Sequence, residues 1–194
     1  ASAKGPWTQV ANNTVRVIQA TTPKGYAADW VAYRDVSREG GALGRYENDP
    51  VHGAKGSYDA IRTYLWAGMT PAADPAARPL LAALSGMATA VAATGAPPES
   101  VDVDSGQAQG QGPFGFSAAL LPYFQARGQN DLLQGQLRRV RDAWAASQSP
   151  ARLAVQQPPY YDYVLSLFGM GWFEQRYRFG ATGRVSLEWE KKCP

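Results

Sequence analysis

The chain has 194 residues, of which 45% are hydrophobic and 18% are charged, a balance typical of a folded globular protein rather than a disordered one. Its formal net charge is only +3, and its lysines and arginines are scattered along the chain, which argues against a nucleic-acid-binding protein. The single cysteine, Cys193, and the single histidine, His52, exclude an internal disulfide and any metal site built from several cysteines or several histidines.

Apolar residues at helical spacing predict six helices, at residues 7–20, 58–68, 75–94, 116–127, 131–146 and 160–175. Pro6 opens the first helix, Ser57 is the predicted N-cap of the second, and Gly128 ends the fourth. After the last helix, the segment RYRFGATGRVSLEW predicts a short C-terminal β-hairpin around its central glycine. This order indicates an all-α fold of stacked helix pairs. No apolar run reaches the ~18 residues of a membrane-spanning helix, so no membrane insertion is predicted.

Two long connections separate these helices, at residues 22–56 and 95–113, and both contain several glycines and prolines. Connections of this length are uncommon in a compact domain unless they carry a binding site. We therefore expect the functional residues to lie in or beside them.

The stretch GSYDAIRTYLWAGM places Asp59 at the start of the second predicted helix, with Arg62 one turn further on. The positive end of the helix dipole and the nearby guanidinium would both favour the ionised carboxylate. An oriented carboxylate beside aromatic rings suits a general base that acts on water near a sugar. The alternative is a surface ion pair that stabilises its own helix, and the residues alone favour this alternative because such pairs are common.

Aromatic side chains are abundant, with 6 Trp, 10 Tyr and 6 Phe, and several lie in the connections or at helix starts. A sugar ring has an apolar face and a polar rim, so a site for it needs flat aromatic surfaces edged by carboxylates, amides and arginines. The cluster PPYYDYV, which contains Asp162, has this composition. For any single aromatic residue, packing in the core is the more common role.

Four segments resemble, in order and spacing, successive parts of one enzyme family. They are TTPKGYAADWVAY, SYDAIRTYLWAGM, PPESVDVDSGQAQGQGPFGFSAALLPYF and YYDYVLSLFGMGWFEQRYRF. They look like segments of the periplasmic endo-1,4-β-glucanases of bacterial cellulose-synthesis operons, which belong to glycoside hydrolase family 8. The resemblance extends over nearly the whole chain, from about Gly5 to the end.

The resemblance implies an (α/α)6 barrel, with residues 1–194 forming the C-terminal part of a single catalytic domain and about half of its helices. It also implies an endo-1,4-β-glucanase that hydrolyses cellulose with inversion, by a carboxylic acid and a carboxylate base about 6.5–9.5 Å apart. Asp59 matches the position of the general base. No segment resembles the block that carries the family's general-acid glutamate, so the chain is expected to lack it.

Substrate-binding roles follow from the same resemblance for residues in three segments. Those residues are Tyr58, Arg62, Asp29, Trp30, Tyr160 and Tyr161. Tyr58 and Arg62 match residues that orient the base and contact sugar. Asp29 and Trp30 lie in a loop near the expected glucan path. Tyr160 and Tyr161 belong to the expected cleft.

The family implies no metal and no organic cofactor, a β-1,4-glucan chain as the substrate, and a periplasmic or secreted location in a bacterium. Because a half barrel exposes an apolar edge, we expect the missing N-terminal half, or a second copy of the chain, to cover it. Two alternatives remain open: a glucan-binding or scaffolding half-domain without catalysis, and a helical interaction protein unrelated to sugar.

Overall fold

A computed structural model describes residues 5–35, 44–149, 159–180 and 182–192. Within these ranges the chain forms seven α-helices, seven short strands and one 3₁₀ helix. The helices are α1 (Trp7–Ala20), α2 (Ile61–Met69), α3 (Ala77–Ala83), α4 (Ser85–Thr94), α5 (Phe114–Ala126), α6 (Asn130–Ser147) and α7 (Tyr160–Phe173), with the 3₁₀ helix at Glu188–Lys192. The strands are β1 (Val31–Arg34), β2 (Arg45–Asn48), β3 (Lys55–Gly56), β4 (Ser100–Asp102), β5 (Ala108–Gln109), β6 (Tyr177–Phe179) and β7 (Val185–Leu187).

Helix α5 lies at the centre of the core, and ten of its thirteen residues are buried. It is apolar on all sides because it packs against α2, α6 and α7. The completely buried side chains of Phe116, Leu120, Leu121 and Phe124 fill the space between these helices. The helical core is therefore built around a central helix that is buried from Gly115 to Phe124 and meets solvent only at its ends.

Glycines let α2 and α7 approach the backbone of α5 closely. A Cβ atom at Gly68 of α2 would lie 2.2 Å from the backbone nitrogen of Tyr123, and one at Gly169 of α7 would lie 1.9 Å from the carbonyl oxygen of Ala118. Pro122 lies inside α5 and has no N–H, so it cannot donate the usual helical hydrogen bond to that Ala118 carbonyl. The hydrogen on Gly169 that replaces a Cβ points at this oxygen instead, the geometry of a weak Cα–H···O contact.

The two long connections contain small antiparallel sheets and meet each other in one of them. Strand β1 pairs with β2, and β6 with β7, while β3, β4 and β5 form a three-stranded sheet. In that sheet Lys55 lies opposite Asp102 and Gly56 opposite Val101, so the connection before α2 is joined to the connection before α5. This junction lies next to the residues that lead into α2.

The predicted mainly helical fold with a C-terminal hairpin is confirmed, and the first predicted helix has the predicted bounds. The predicted helix at 75–94 is wrong, because α3 and α4 are separate helices that meet at Leu84, whose backbone is not helical. The buried Tyr123 hydroxyl donates to the Leu84 carbonyl oxygen at 2.8 Å, a tertiary hydrogen bond that replaces a helical one. In the ranges that the structure describes, no helix has the length and apolar character needed to cross a bilayer.

Candidate active site

Asp29, rather than the predicted Ser57, caps the start of α2. Its Oδ1 accepts hydrogen bonds from the backbone N–H groups of Ser57 at 2.7 Å, Asp59 at 3.0 Å and Ala60 at 2.8 Å. The Ser57 hydroxyl donates to Oδ2 of the same carboxylate at 2.6 Å. The prediction of Ser57 as N-cap is wrong because its hydroxyl is used as a donor to Asp29. The helix begins at Ile61, so Asp59 lies in the turn before it and not in its first turn.

The backbone around Asp29 is itself held in place by the core. The Asp29 N–H donates to the Lys55 carbonyl oxygen at 2.7 Å, and the buried Tyr64 hydroxyl accepts the N–H of Ala27 at 3.0 Å. Only glycine fits at Gly56, because a Cβ there would lie 2.1 Å from the Ala27 carbonyl oxygen. Both Asp29 oxygens are engaged by protein donors, and its contact with a glucan chain stays a prediction.

Asp59 and Arg62 form the ion pair that their spacing predicts. An Arg62 Nη2 group donates to Asp59 Oδ1, and Nε donates to the Asp59 carbonyl oxygen at 3.4 Å. The two side chains are 43% and 50% exposed, so the pair adds little stability and its main effect is to orient the carboxylate. Within the described ranges Oδ2 of Asp59 accepts no hydrogen bond from the protein, which leaves this oxygen available to a water molecule.

Tyr58, the residue before Asp59, packs against two other aromatic rings. The Tyr58 ring is 5.0 Å from the Phe116 ring and 5.6 Å from the Tyr161 ring, measured between centroids. The Tyr161 hydroxyl donates to the Tyr58 carbonyl oxygen, and the Tyr58 hydroxyl donates to Glu99 at 3.0 Å. Tyr58 remains 42% exposed, so part of its surface next to the Asp59 turn is open to solvent.

The surroundings of both tyrosines raise their pKa values, so the hydroxyls stay protonated even at alkaline pH. Burial raises the pKa of Tyr161 to about 12, and Asp59 and Asp29 add to this effect while Arg62 opposes it. Burial, followed by the hydrogen bond to Glu99, also raises the pKa of Tyr58. Tyr161 therefore stays a hydrogen-bond donor to the turn that carries Asp59.

Asp162, at the start of α7, is a further carboxylate near the same tyrosines, and only 8% of it is exposed. Its Oδ1 accepts the N–H of Gly115 at 3.2 Å, at the start of α5. Burial raises the pKa of Asp162, and the Gly115 hydrogen bond opposes that rise. A Cβ at Gly115 would lie 2.6 Å from the Asp162 oxygen, so the two helix starts meet at a contact that requires glycine.

The structure brings some of the predicted residues together and leaves two apart. Asp29, Asp59 and Arg62 join Tyr58 and Tyr161 in one cluster through the hydrogen bonds given above. The Trp30 ring is 52% exposed and stacks on His52, with 5.4 Å between centroids, and Tyr160 is 81% exposed at the first position of α7. Glu99 and Phe116 are not among the predicted site residues. Glu99 lies in the long connection at residues 95–113 and Phe116 just after it, and the length of that connection is the only signal in the sequence that points to them.

Comparisons with known proteins agree with the predicted resemblance. The sequence profile described as Glycosyl hydrolases family 8 matches residues 1–175. Relatives named Endoglucanase from Pseudomonas fluorescens (strain SBW25) and Escherichia coli (strain K12) are 46% and 40% identical, over 96% and 97% of this chain but only 48% and 46% of theirs. The solved endo-1,4-D-glucanase from Vibrio fischeri ES114 is similar with a TM-score of 0.73 and 28% identity, over 97% of this chain and 51% of that chain.

The chain therefore spans about half the length of the curated relatives it matches. The structural similarity extends over nearly the whole chain, and it confirms the predicted fold class, about half of an (α/α)6 barrel. The comparisons carry no assignment of individual residues, so the roles of the Asp59 cluster rest on its geometry.

Proposed function

This chain belongs to glycosyl hydrolases family 8, and from that premise we propose that it forms part of the catalytic domain of an endo-1,4-β-glucanase that hydrolyses cellulose with inversion. The observation that carries the proposal is the Asp59 carboxylate: it is held by Arg62, keeps one oxygen free of protein donors, and directly follows Tyr58, an exposed aromatic residue that packs against Tyr161. This is the arrangement that a general base needs, because the free oxygen accepts a proton from water while the rings bind the sugar face.

In the proposed mechanism, Asp59 removes a proton from a water molecule as that water attacks the anomeric carbon. The glycosidic bond breaks, and a carboxylic acid on the opposite side gives its proton to the leaving oxygen. We propose that this acid is a glutamate supplied by the part of the family domain that this chain does not span. Arg62 and Tyr161 keep the base in position, and Tyr58 contacts the sugar, as the resemblance implies.

The test uses a complete domain, made by joining this chain to the part of the Pseudomonas fluorescens endoglucanase that it does not match. Asp59→Asn should lower kcat on carboxymethylcellulose by about 10²–10⁴-fold, the usual contribution of a general base. Asp142→Asn, on the exposed face of α6, is the matched control and should keep full activity. Both variants should retain the helical circular-dichroism spectrum, and an active Asp59→Asn enzyme would remove Asp59 from the mechanism. The first-formed product should be the α-anomer by NMR, and a β-anomer would refute inversion.

The alternative is a glucan-binding or scaffolding half-domain without catalysis, and the half-length coverage of the relatives favours it. It predicts that the 194-residue chain alone binds cello-oligosaccharides but releases no reducing ends. It also predicts that the joined domain is inactive although folded. Calorimetric titration followed by a reducing-sugar assay separates the two proposals, and absence of both binding and hydrolysis would favour an interaction protein unrelated to sugar.

An apolar groove lies between α6 and α7. It encloses about 570 Å3 and is lined by apolar side chains that include Trp144, Leu167, Met170 and Trp189. The Ser166 hydroxyl in this groove is fully buried and has no hydrogen-bond partner among the described residues. We propose that the remaining half of the barrel covers this groove. Size-exclusion chromatography should show the chain alone self-associating and the joined domain as a monomer, whereas a well-behaved monomer of the chain alone would contradict the proposal.

The resemblance also implies a periplasmic or secreted location in a bacterium and an association with cellulose synthesis. We propose that location for the whole protein on the basis of this resemblance. Cell fractionation with an antibody against the chain tests it, and recovery in the cytoplasmic fraction would contradict it.

A further inference from the structure

We propose that Asp29 is a positioning residue for the reaction, which sets the location of Asp59 by holding the backbone of the turn before α2. The proposal rests on the proposed role of Asp59 as the base. It differs from the role that the resemblance implies for Asp29, which is contact with the glucan chain.

The hydrogen bonds of Asp29 account for the start of α2. The first N–H groups of a helix have no partner within the helix, and here Asp59 and Ala60 give theirs to Asp29 Oδ1 at 3.0 and 2.8 Å. The N–H and hydroxyl of Ser57 also donate to this carboxylate, at 2.7 and 2.6 Å. Four charge-assisted hydrogen bonds at the positive end of a helix make a much stiffer cap than a serine side chain.

Asp29 has little freedom to follow the turn if the turn moves. Its own N–H is bonded to the Lys55 carbonyl oxygen, and the neighbouring Ala27 is bonded to the Tyr64 hydroxyl in the core. The backbone of Gly56 is in contact with the Ala27 carbonyl. Asp29 is therefore fixed at both ends, with its backbone N–H bonded to β3 and its carboxylate bonded to the turn before α2.

Two separate side chains therefore fix the position of Asp59. Asp29 holds its backbone N–H, while Arg62 holds its carboxylate. Tyr161 adds a third restraint, since its hydroxyl donates to the carbonyl oxygen of the preceding residue, Tyr58. Because a displacement of ~1 Å can cost about 10²-fold in rate, a cap that fixes this backbone acts directly on the efficiency of the base.

The lone pairs of Asp29 also argue for this role. A carboxylate has about four lone-pair sites, and Oδ1 of Asp29 alone accepts three backbone N–H groups. A residue whose chief task was to bind sugar hydroxyls would keep its acceptors free for them. Asp29 directs its acceptors toward the protein, so its removal should change turnover more than affinity.

The kinetic test compares Asp29→Ala, Asp29→Asn and Ser57→Ala in the joined domain. Asp29→Ala should lower kcat by about 10²-fold while KM changes less than about threefold. Asp29→Asn keeps an oxygen acceptor and should recover part of that loss, and Ser57→Ala should have the smallest effect. Val91→Ala, in the buried face of α4, is the control for general destabilisation and should leave kcat unchanged where the protein is folded. A rise in KM with unchanged kcat would overturn the proposal in favour of substrate contact.

A second measurement needs no activity and uses the 194-residue chain itself. In Asp29→Ala the backbone amides of Asp59 and Ala60 should exchange with deuterium at least about tenfold faster than in the wild type, whereas amides in the middle of α5 keep their rates. Unchanged exchange at both amides would overturn the proposal. If Asp59→Asn is fully active, the proposed base fails; if Asp59→Asn is inactive but Asp29→Ala has wild-type kcat, the positioning role alone fails.

Discussion

Replacing Gly169 by alanine should destabilise the protein, whereas the same replacement of Gly135 should stabilise it. The added Cβ at Gly169 would lie 1.9 Å from the Ala118 carbonyl oxygen and 2.5 Å from its carbonyl carbon, so the backbones of α5 and α7 must separate. The added Cβ at Gly135, inside α6, would meet no atom of another element within 4 Å. Both changes place alanine in a helix, so both gain its propensity advantage of about 1 kcal/mol over glycine.

The clash sets the size of the effect. An ordinary carbon–oxygen contact is about 3.3 Å, so α7 would have to move by roughly 1.4 Å from α5. Overpacking costs up to about 3 kcal/mol, and subtracting about 1 kcal/mol of helix propensity leaves a net loss of about 2 kcal/mol for Gly169→Ala. In a chain of this size 1 kcal/mol changes Tm by about 2–4 °C, so Gly169→Ala should melt roughly 4–8 °C lower and Gly135→Ala about 2–4 °C higher.

Urea denaturation and thermal melting, both followed by circular dichroism at the helical signal, measure the two variants side by side. The difference between the two variants in the free energy of unfolding is the informative quantity, because the helix-propensity gain of alanine is the same in both and cancels. Equal stability of Gly169→Ala and Gly135→Ala would refute the argument, since it would mean that α5 and α7 have room for a methyl group at their closest point.

Three further predictions concern the tyrosines and the buried carboxylate. Tyr161→Phe removes the donor to the Tyr58 carbonyl and should lower kcat of the joined domain roughly fivefold, the equivalent of one hydrogen bond of about 1 kcal/mol, with unchanged KM; a wild-type kcat would contradict it. Tyr64→Phe leaves the buried N–H of Ala27 without its acceptor and should lower the free energy of unfolding by about 1–3 kcal/mol in urea titrations; unchanged stability would show that this bond contributes nothing. Because burial raises the pKa of Asp162, its contribution to stability is greatest below about pH 4 and is lost as the pH rises through the native pKa. Asp162→Asn should therefore melt above the wild type at about pH 7, with a difference that shrinks toward pH 4, and a more stable wild type at neutral pH would contradict this sign.

Local sequence patterns correctly predicted the features that are determined by residues close together in the chain. The Asp59–Arg62 pair follows from a spacing of three residues, and α1 follows from its proline and apolar period. The start of α2 could not be predicted in this way, because the group that caps it, Asp29, is 28 residues before Ser57 in the sequence. A serine next to a helix is a good N-cap by propensity, and only the tertiary fold shows that a carboxylate has replaced it.

Tertiary contacts also explain the other differences. The helical period continues through residue 84, but the hydroxyl of Tyr123 binds the carbonyl oxygen of Leu84, and the helix divides there. The resemblance assigned Tyr58 and Tyr161 to substrate binding, but their direct contact could not be predicted, since they lie 103 positions apart in the sequence. Glu99 reaches this cluster because β3 and β4 pair, and no local pattern in its connection indicates that pairing.

The clamp at Asp29 has a consequence for protein engineering. Its backbone N–H donates to the Lys55 carbonyl oxygen and its carboxylate accepts the N–H of Ser57, so the segment between Asp29 and Lys55 leaves and re-enters the fold at the same point. A different segment inserted between Asp29 and Lys55 should leave the hydrogen bonds of these two residues in place. This segment, which includes the exposed Trp30, is thus a suitable position for exchanging sequences in tests of the proposed glucan binding, because the hydrogen bonds that hold the Asp59 turn lie outside it.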